Sequence, residues 1–366
     1  MKIIHCADLH LDSKMTANLD SKKARERKIE LLNTFNEMVK YAACNDIKAI
    51  IIAGDMFDKK TVSKTAANTV YQAFTDNPDI SFYYLKGNHD EDTFIESLIN
   101  KPDNLKTFEE NWTCYRTGEK NNIVITGAVL TKDNKDRLFN ELVLNNDDFN
   151  IVTLHGQESA AGTKDKTVVI PIRDLRNKGI DYLALGHIHS YKEAELDKRG
   201  VYCYSGCLEG RGFDECGEHG FVVIDIDEDN KTCKREFIPI AKRRLYVINV
   251  DVSGLNNSAN MISRIKNVLD EKRLSKESMV KIVLSGEVDA FCEKDVDFIF
   301  KQFEDKYYFT KLYDETKLKV SYEDFRLDES LKGEFVRIVL AKTDISDEDK
   351  AMIIRYGINL LTDDEI

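Results

Sequence analysis

Five times within the first 190 residues an apolar run of strand length stops abruptly at aspartate, asparagine or histidine. The plainest case is Ala49-Ile50-Ile51-Ile52-Ala53, followed by Gly54-Asp55-Met56-Phe57-Asp58. A strand with no polar face must be covered on both sides. Phe82-Tyr83-Tyr84-Leu85 leads in the same way to Gly87-Asn88-His89-Asp90, and Lys2-Ile3-Ile4-His5-Cys6-Ala7 to Asp8-Leu9-His10. Further on, Phe149–Leu154 runs into His155-Gly156 and Ile180–Leu185 into Gly186-His187-Ile188-His189. Helical patterns separate the first three runs: Lys22 to about Ala43, with Ile29, Leu32, Phe35, Met38 and Val39 near one face, and Thr61–Phe74. This β-α-β-α-β alternation predicts an α/β fold with parallel pairing, helices on both faces and chemistry at the carboxyl ends of the strands. Between Asp92 and Asn150 the pattern is weaker: a short helix near Phe94–Ile99, strands at Trp112–Tyr115 and Ile123–Val129, then a loop with a short helix.

Taken alone, Gly-Asn-His-Asp reads equally well as a turn, and Asp8 with His10 as a loop ion pair. Repetition decides between the readings. Of seven histidines, five (His10, His89, His155, His187 and His189) fall at the ends of expected strands. His5 lies inside a strand and is read as packed, and His219 needs no special role. Asp8 and His10, like His187 and His189, are two apart, so in an extended segment each pair points one way. Gathered at one edge, Asp8, His10, Asp55, Asn88, His155, His187 and His189 form an oxygen and nitrogen donor set without thiolate. Such a set suits Mn2+, Fe2+ or Zn2+ better than Ca2+ or a structural zinc. Seven donors are too many for one ion. With one carboxylate bridging they suit two, and ions roughly 3.5–4 Å apart clamp an in-line displacement at phosphorus.

A net charge of −12 argues against a globally basic nucleic-acid binder, while leaving room for a local basic groove or for positive charge supplied by metal. The eight cysteines show no Cys-x-x-Cys framework and read as free thiols of a reducing compartment. The spacing of Cys203, Cys207 and Cys216 fits no usual zinc pattern. No apolar run approaches the roughly 18 residues of a membrane span, and the N-terminus turns polar too soon for a signal peptide. The expectation is a cytoplasmic protein without membrane contact.

Asp8-x-His10, Gly54-Asp55-x-x-Asp58, Gly87-Asn88-His89-Asp90, His155-Gly156 and Gly186-His187-x-His189 resemble, in order and spacing, the five motifs of the calcineurin-like metallophosphoesterases. The resemblance implies a four-layer fold, with helices flanking a two-sheet β-sandwich. It also implies one ion on Asp8, His10, Asp55 and His189, and a second on Asp55, Asn88, His155 and His187, with Asp55 bridging. His89 resembles the family's phosphate-contacting histidine, and Asp90 would orient it through a carboxylate–imidazole bond. The ions would be Mn2+ in the first place, with Fe2+, Zn2+ or Mg2+ as substitutes.

Finer features are similar to the DNA-repair exonuclease branch, the SbcD-like nuclease subunits and their YhaO-like relatives. They are Gly-Asp-x-Phe-Asp, Leu154-His155-Gly156, Leu185-Gly186-His187-Ile188-His189 and Tyr204-Ser205-Gly206, with Gly210-Arg211-Gly212-Phe213-Asp214-Glu215 and Gly217. Arg211 offers a fork for a phosphate, and the Gly206–Gly220 loop reads otherwise as a plain connector. The resemblance implies a DNA exonuclease, with or without endonuclease action, serving as the nuclease subunit of an SbcCD-like double-strand-break repair complex. The alternatives are a small-molecule or cyclic-nucleotide phosphodiesterase, and an adaptor active only with its ATPase.

Residues 1–243 form the expected catalytic domain, ending near the basic run Lys242-Arg243-Arg244. Over 244–325, strands at Leu245–Val252, Met279–Glu287 and Tyr307–Leu312 alternate with helices at Ala259–Lys272 and Asp295–Glu304, a smaller α/β unit in the position of the family's capping domain. Residues 326–366 hold two helices, Ser330–Lys342 and one capped by Ser346-Asp347-Glu348-Asp349, with Gly357 as a plausible stop. Their apolar residues, among them Met352, Ile353, Tyr356, Leu360 and Leu361, either pack on the cap or bind a partner. In the family such a segment docks on the coiled-coil base of an SbcC-like ATPase, and a homodimer is a further expectation.

Overall fold

The computed structural model describes residues 1–366 apart from 16–18, 59–61, 91–93, 96–97, 99, 159–168, 290–291, 320–324, 326–327 and 363–366. The chain divides into two compact units, Met1–Arg244 and Leu245–Ile366. No described helix is long and apolar enough to cross a membrane.

Two six-stranded sheets build the first unit. One runs, edge to edge, β14 (Thr232–Pro239), β13 (Gly220–Asp227), β1 (Lys2–Cys6), β2 (Ile47–Ala53), β3 (Ser81–Leu85) and β4 (Leu105–Thr107). The other runs β11 (Lys192–Glu195), β12 (Val201–Tyr204), β10 (Tyr182–Gly186), β7 (Phe149–His155), β6 (Ile123–Gly127) and β5 (Thr113–Thr117). A two-stranded ribbon, β8 (Gln157–Glu158) with β9 (Val169–Ile170), lies outside them. β1 to β4 pair in parallel, as do β6, β7, β10 and β12, so the carboxyl ends within each series share an edge. The β13–β14 hairpin adds to β1 antiparallel.

The two-residue period of a strand explains why these runs are apolar throughout. On β2, Ala49 and Ile51 face the second sheet, in a core shared with Ile125, Ile151 and Ala184. Ile50 and Ile52 face outward, against Leu31, Phe35 and Met38 of α1 (Ser21–Cys44) and Val70 and Phe74 of α2 (Lys64–Thr75). On the far side, Val152, Leu154, Leu183 and Leu185 pack against the short helices α3 (Leu138–Glu141) and α4 (Ile172–Leu175). The result is helix, sheet, sheet, helix: four layers around an inter-sheet core.

Some local expectations shift. Ile29, expected on the apolar face of α1, is 51 % exposed. The buried stripe instead takes in Arg27 and Glu30, which are paired in an ion network described below. Ser63 caps α2, with its hydroxyl accepting from the Ala66 amide. The earlier start expected at Thr61, and residues 96, 97 and 99 of the helix expected near Phe94, lie outside the described residues.

The second unit holds a parallel three-stranded sheet, β15 (Leu245–Asp251), β16 (Met279–Ser285) and β18 (Phe309–Asp314), and a pair formed by β17 (Glu287–Asp289) and β19 (Lys317–Lys319). One sheet face packs on α5 (Ser258–Lys272) and α6 (Val296–Lys301). Two helices follow, α7 (Leu331–Leu340) and α8 (Asp347–Thr362), sharing a core of Val336, Val339, Ala351, Ile354 and Ile358. Gly357 does not stop α8, which continues to Thr362. A Cβ there would lie 2.2 Å from the Phe335 ring, so the glycine serves close approach of the two helices. Met352, Ile353, Tyr356 and Leu360 are 41–71 % exposed.

Candidate metal centre

All seven expected donors are brought to the carboxyl edge of the sandwich. Four of them, Asp8, His10, Asp55 and His187, have positive φ, between 44° and 98°. Left-handed backbone at a non-glycine residue costs about 1–3 kcal/mol, and is kept only where the surroundings over-determine it. Here three backbone bonds tie the loop after β1 to the loop after β2: Asp8 N to Gly54 O at 3.0 Å, His10 N to Asp55 O at 2.9 Å and Leu11 N to Met56 O at 3.0 Å. Two glycines make room. A Cβ on Gly54 (φ +97°) would fall 2.1 Å from His155 Nδ1, and one on Gly87 would fall 2.1 Å from Asp55 Oδ1.

Asp8, His10, Asp55 and His155 form a buried floor, each 4 % exposed or less. Asn88 and His89 are exposed, and His187 and His189 half-buried, so the site opens on one side. His155 Nε2 lies 3.3 Å from Asp55 Oδ2 and 2.9 Å from Asn88 Oδ1. His187 Nδ1 lies 3.3 Å from the same Asn88 oxygen. His10 Nε2 stands 3.8 Å from Asp55 Oδ2, and His189 Nε2 4.0 Å from Asp8 Oδ1. The Asp8 carboxylate accepts the His187 amide at 2.9 and 3.0 Å, and Asp55 Oδ1 accepts the His89 amide at 2.8 Å. Among the described residues, two groups have donor atoms within 4.8 Å of one another: Asp8, His10 and His189, and Asp8, Asp55 and His155. Asp8 is common to both groups, while Asp55 Oδ2 reaches toward His10 and His155 together.

The donor set fits divalent ions. Two buried carboxylates need compensating charge, and His10 Nε2 is buried with no hydrogen-bond partner among the described residues. Burial raises the Asp55 pKa, but the hydrogen bond and charge of His155, the charge of His10 and the His89 amide hold it well below the usual carboxylate range. His155 responds in kind: burial lowers its pKa, and Asp55 overcomes this and raises it to about 9. The pair thus holds a proton in a position suited to a cation.

The neighbours of the donors differ from expectation. Asp90 does not meet the His89 ring. The tight turn at Gly87 folds its carboxylate back, so that Oδ2 accepts from Gly87 N at 3.0 Å and Met56 N at 3.1 Å, and Oδ1 from Phe57 N at 2.9 Å. The carboxylate facing His89 is Asp58, with Oδ1 3.5 Å from His89 Nδ1 and 3.2 Å from His10 Nδ1. Glu215 makes a contact that its motif alone does not predict. Its Oε1 lies 2.6 Å from His189 Nδ1 and 3.1 Å from an Arg211 nitrogen, and its Oε2 accepts the Arg211 amide at 2.7 Å. Arg211 thus stands at the rim, 3.1 Å from His189 Nδ1 and 3.9 Å from Asp58. Both carboxylates lie inside quoted motifs, in loops where their proximity to imidazole could not be read from spacing. The Arg211 loop is itself anchored by Glu209, which accepts from Arg27 at 3.1 Å, Thr34 at 2.8 Å and Lys242 N at 2.6 Å. Cys207 packs against His219 at 3.3 Å, Cys203 is buried and Cys216 exposed, and among the described residues the three form no donor group.

An open-sided pocket of buried carboxylates and imidazoles at the strand ends of a four-layer sandwich defines a metal-dependent phosphoesterase, a hydrolase. Residues 1–191 match the family model described as calcineurin-like phosphoesterase, and the chain belongs to that family. It is 25 % identical over 296 residues to the uncharacterized metallophosphoesterase YhaO of Bacillus subtilis, covering 78 % of this chain and 72 % of that protein. To the DNA double-strand break repair protein Mre11 of Sulfurisphaera tokodaii it is 25 % identical over 302 residues, covering 78 % and 73 %. Among solved structures, TT1561 of Thermus thermophilus matches with a TM-score of 0.40 and 14 % identity over 64 % of this chain and 98 % of that one.

Proposed function

We propose that the chain is a DNA phosphodiesterase using two divalent ions, Mn2+ in the first place, and that it is the nuclease subunit of an SbcCD-like double-strand-break repair complex. The observation that carries this reading is the floor of Asp8 and Asp55 within reach of the His10, His155 and His189 rings, with the Asn88 amide oxygen between the His155 and His187 rings and an exposed His89 above. Asp8, His10 and His189 would hold one ion, and His155, His187 and Asn88 the other, with Asp55 between them. Bound there, the ions supply positive charge to the phosphodiester oxygens and lower the pKa of an attacking water. His89 contacts a phosphate oxygen on the open side or protonates the leaving group, with Asp58 holding its ring. Arg211, already beside His189, extends positive charge toward the phosphate backbone.

Similarity to Mre11 across most of the chain, beyond the catalytic unit, supports DNA as the substrate. In this reading residues 1–243 are the nuclease domain, 244–325 a cap and 326–366 a partner-binding segment. The exposed Met352, Ile353, Tyr356 and Leu360 on α8 suit the coiled-coil base of an SbcC-like ATPase. The test is nucleotide release from linear DNA with Mn2+, against bis(p-nitrophenyl) phosphate and cyclic nucleotides under the same conditions. Turnover of DNA is expected. Turnover of cyclic nucleotides alone would move the assignment to a small-molecule phosphodiesterase, and activity on DNA only after adding the ATPase would make the chain a dependent subunit.

A further inference from the structure

The sheet of the second unit packs one face on helices and carries lysines and aromatic rings around the buried Val283 on the other. Even-numbered positions such as Ile248, Ile282 and Leu312 enter the core with α5 and α6. Odd-numbered positions face the other way, and the strand register sets Val247, Lys281 and Lys311 side by side across that face. Like charges directly opposite on neighbouring strands are unfavourable. Neither lysine has a carboxylate within ion-pair distance among the described residues, although the chain as a whole carries a net charge of −12. Their neighbours are aromatic. Lys281 Nζ lies 4.5 Å from the centre of the Tyr313 ring, and Lys311 Nζ lies 5.7 Å from that centre and 5.9 Å from the centre of Phe309. Tyr313 is 40 % exposed and Val247 39 %.

We propose that this face binds a single strand of nucleic acid, with a base stacking on Tyr313 and phosphates meeting Lys281 and Lys311. The argument is one of matched chemistry. Along the edge strand β18, Phe309, Lys311 and Tyr313 alternate ring, cation and ring at intervals of roughly 6.6 Å, two residues of strand rise. An unpaired strand supplies a flat ring and an anion at every step, and aromatic platforms with adjacent cations are how such strands are held without sequence preference. A duplex keeps its base faces stacked on one another, and an acidic peptide brings charge without rings. The paired lysines become favourable once a phosphate lies between them. This goes beyond the hydrolytic reading and does not depend on it, because binding is measured with divalent ions chelated.

The experiment uses the full chain in EDTA, with fluorescence anisotropy of a labelled mixed-sequence DNA strand of about 20 nucleotides over a salt series, and a duplex of the same sequence beside it. Tyr313→Ala is expected to weaken single-strand binding about 5- to 150-fold, the range for loss of one stacked base, and Tyr313→Phe to retain it. The double change Lys281→Gln with Lys311→Gln is expected to weaken binding and to reduce the salt slope by about 1.4, from roughly 0.7 for each phosphate contact on a single strand. No measurable single-strand binding by the unaltered chain would overturn the proposal. So would a loss with the lysine changes but none with Tyr313→Ala, which marks a general polyanion patch, or an equal loss on the duplex.

Discussion

Glu215 Oε1 lies 2.6 Å from Nδ1 of His189. This is the contact that sets the ring of His189 with Nε2 toward Asp8. Burial raises the Glu215 pKa, but the His189 hydrogen bond and the Arg211 charge bring it down to about 2, so the group is an acceptor at every ordinary pH. A carboxylate behind a ligating imidazole fixes its tautomer and makes it more basic. With Mn2+ titrated into the proposed two-ion site, Glu215→Gln is therefore expected to lower the affinity of one ion by about 10- to 100-fold. Titration calorimetry checks this: one binding step should weaken while the other holds, and an unchanged pair of steps would remove Glu215 from the centre.

Asp58, and not Asp90, faces the His89 ring, and variants of the two should separate accordingly. His89→Ala should keep metal and DNA binding while hydrolysis falls by about 10²- to 10⁴-fold, the scale of a lost general acid. Asp58→Asn, which loosens both His10 and His89, should lower turnover by about 10- to 100-fold. Asp90→Ala strands three backbone N–H groups and should show first as lost thermal stability. Steady-state rates beside melting curves test the split. A stable Asp90→Ala protein with slow turnover would return the orienting role to Asp90.

What could be read in advance follows from the range of each interaction. Ala49–Ala53 was legible because burial on two faces leaves its mark in five consecutive residues, and its glycine and aspartate follow at once. The histidines stood out because a rare residue recurred at one kind of position. Alternation alone does not divide the strands between two sheets, and the four-layer expectation rested on the resemblance. Nor does spacing tell which carboxylate faces an imidazole: Asp90 adjoins His89 in sequence, yet Asp58, 31 residues earlier, faces its ring. Glu215 meets His189 across a loop that repeats no pattern. Ile29 and Gly357 failed for a related reason. The face of α1 is decided by Arg27 and Glu30 meeting Arg243 and Glu209 from the far end of the unit, and the glycine by a ring on another helix.

The Gly357 contact gives a stability test. In an exposed helix interior, alanine at a glycine position gains about 1 kcal/mol. Here the added methyl would overlap Phe335, and overpacking costs about 1–3 kcal/mol. Gly357→Ala should therefore destabilise the α7–α8 pair, and Gly357→Ala combined with Phe335→Leu should recover most of the loss. Hydrogen exchange at α7 and α8 amides reads the effect locally. Greater protection in the single variant would mean that the helices do not meet there.

His5 provides a pH test remote from the donors. Its ring is buried between the sheets with Nδ1 2.9 Å from the Tyr182 hydroxyl. Burial lowers its pKa to about 3, against a smaller opposing pull from the Leu185 backbone. Unfolded, the ring has an ordinary pKa of about 6.5. Below that value the unfolded chain binds a proton that the folded chain refuses, so the contribution to stability is complete above pH ~6.5 and is lost as pH falls toward 3, at about 1.4 kcal/mol per unit. Between pH 6.5 and 5 the loss is about 2 kcal/mol. His5→Phe lacks this term whatever its own packing cost, since a uniform destabilisation shifts the curve without changing its slope. Urea unfolding in EDTA at both pH values should show the unaltered chain losing about 2 kcal/mol more than the variant. Equal losses would mean that the ring takes up its proton in the folded state, and that the space between the sheets beside Tyr182 admits water.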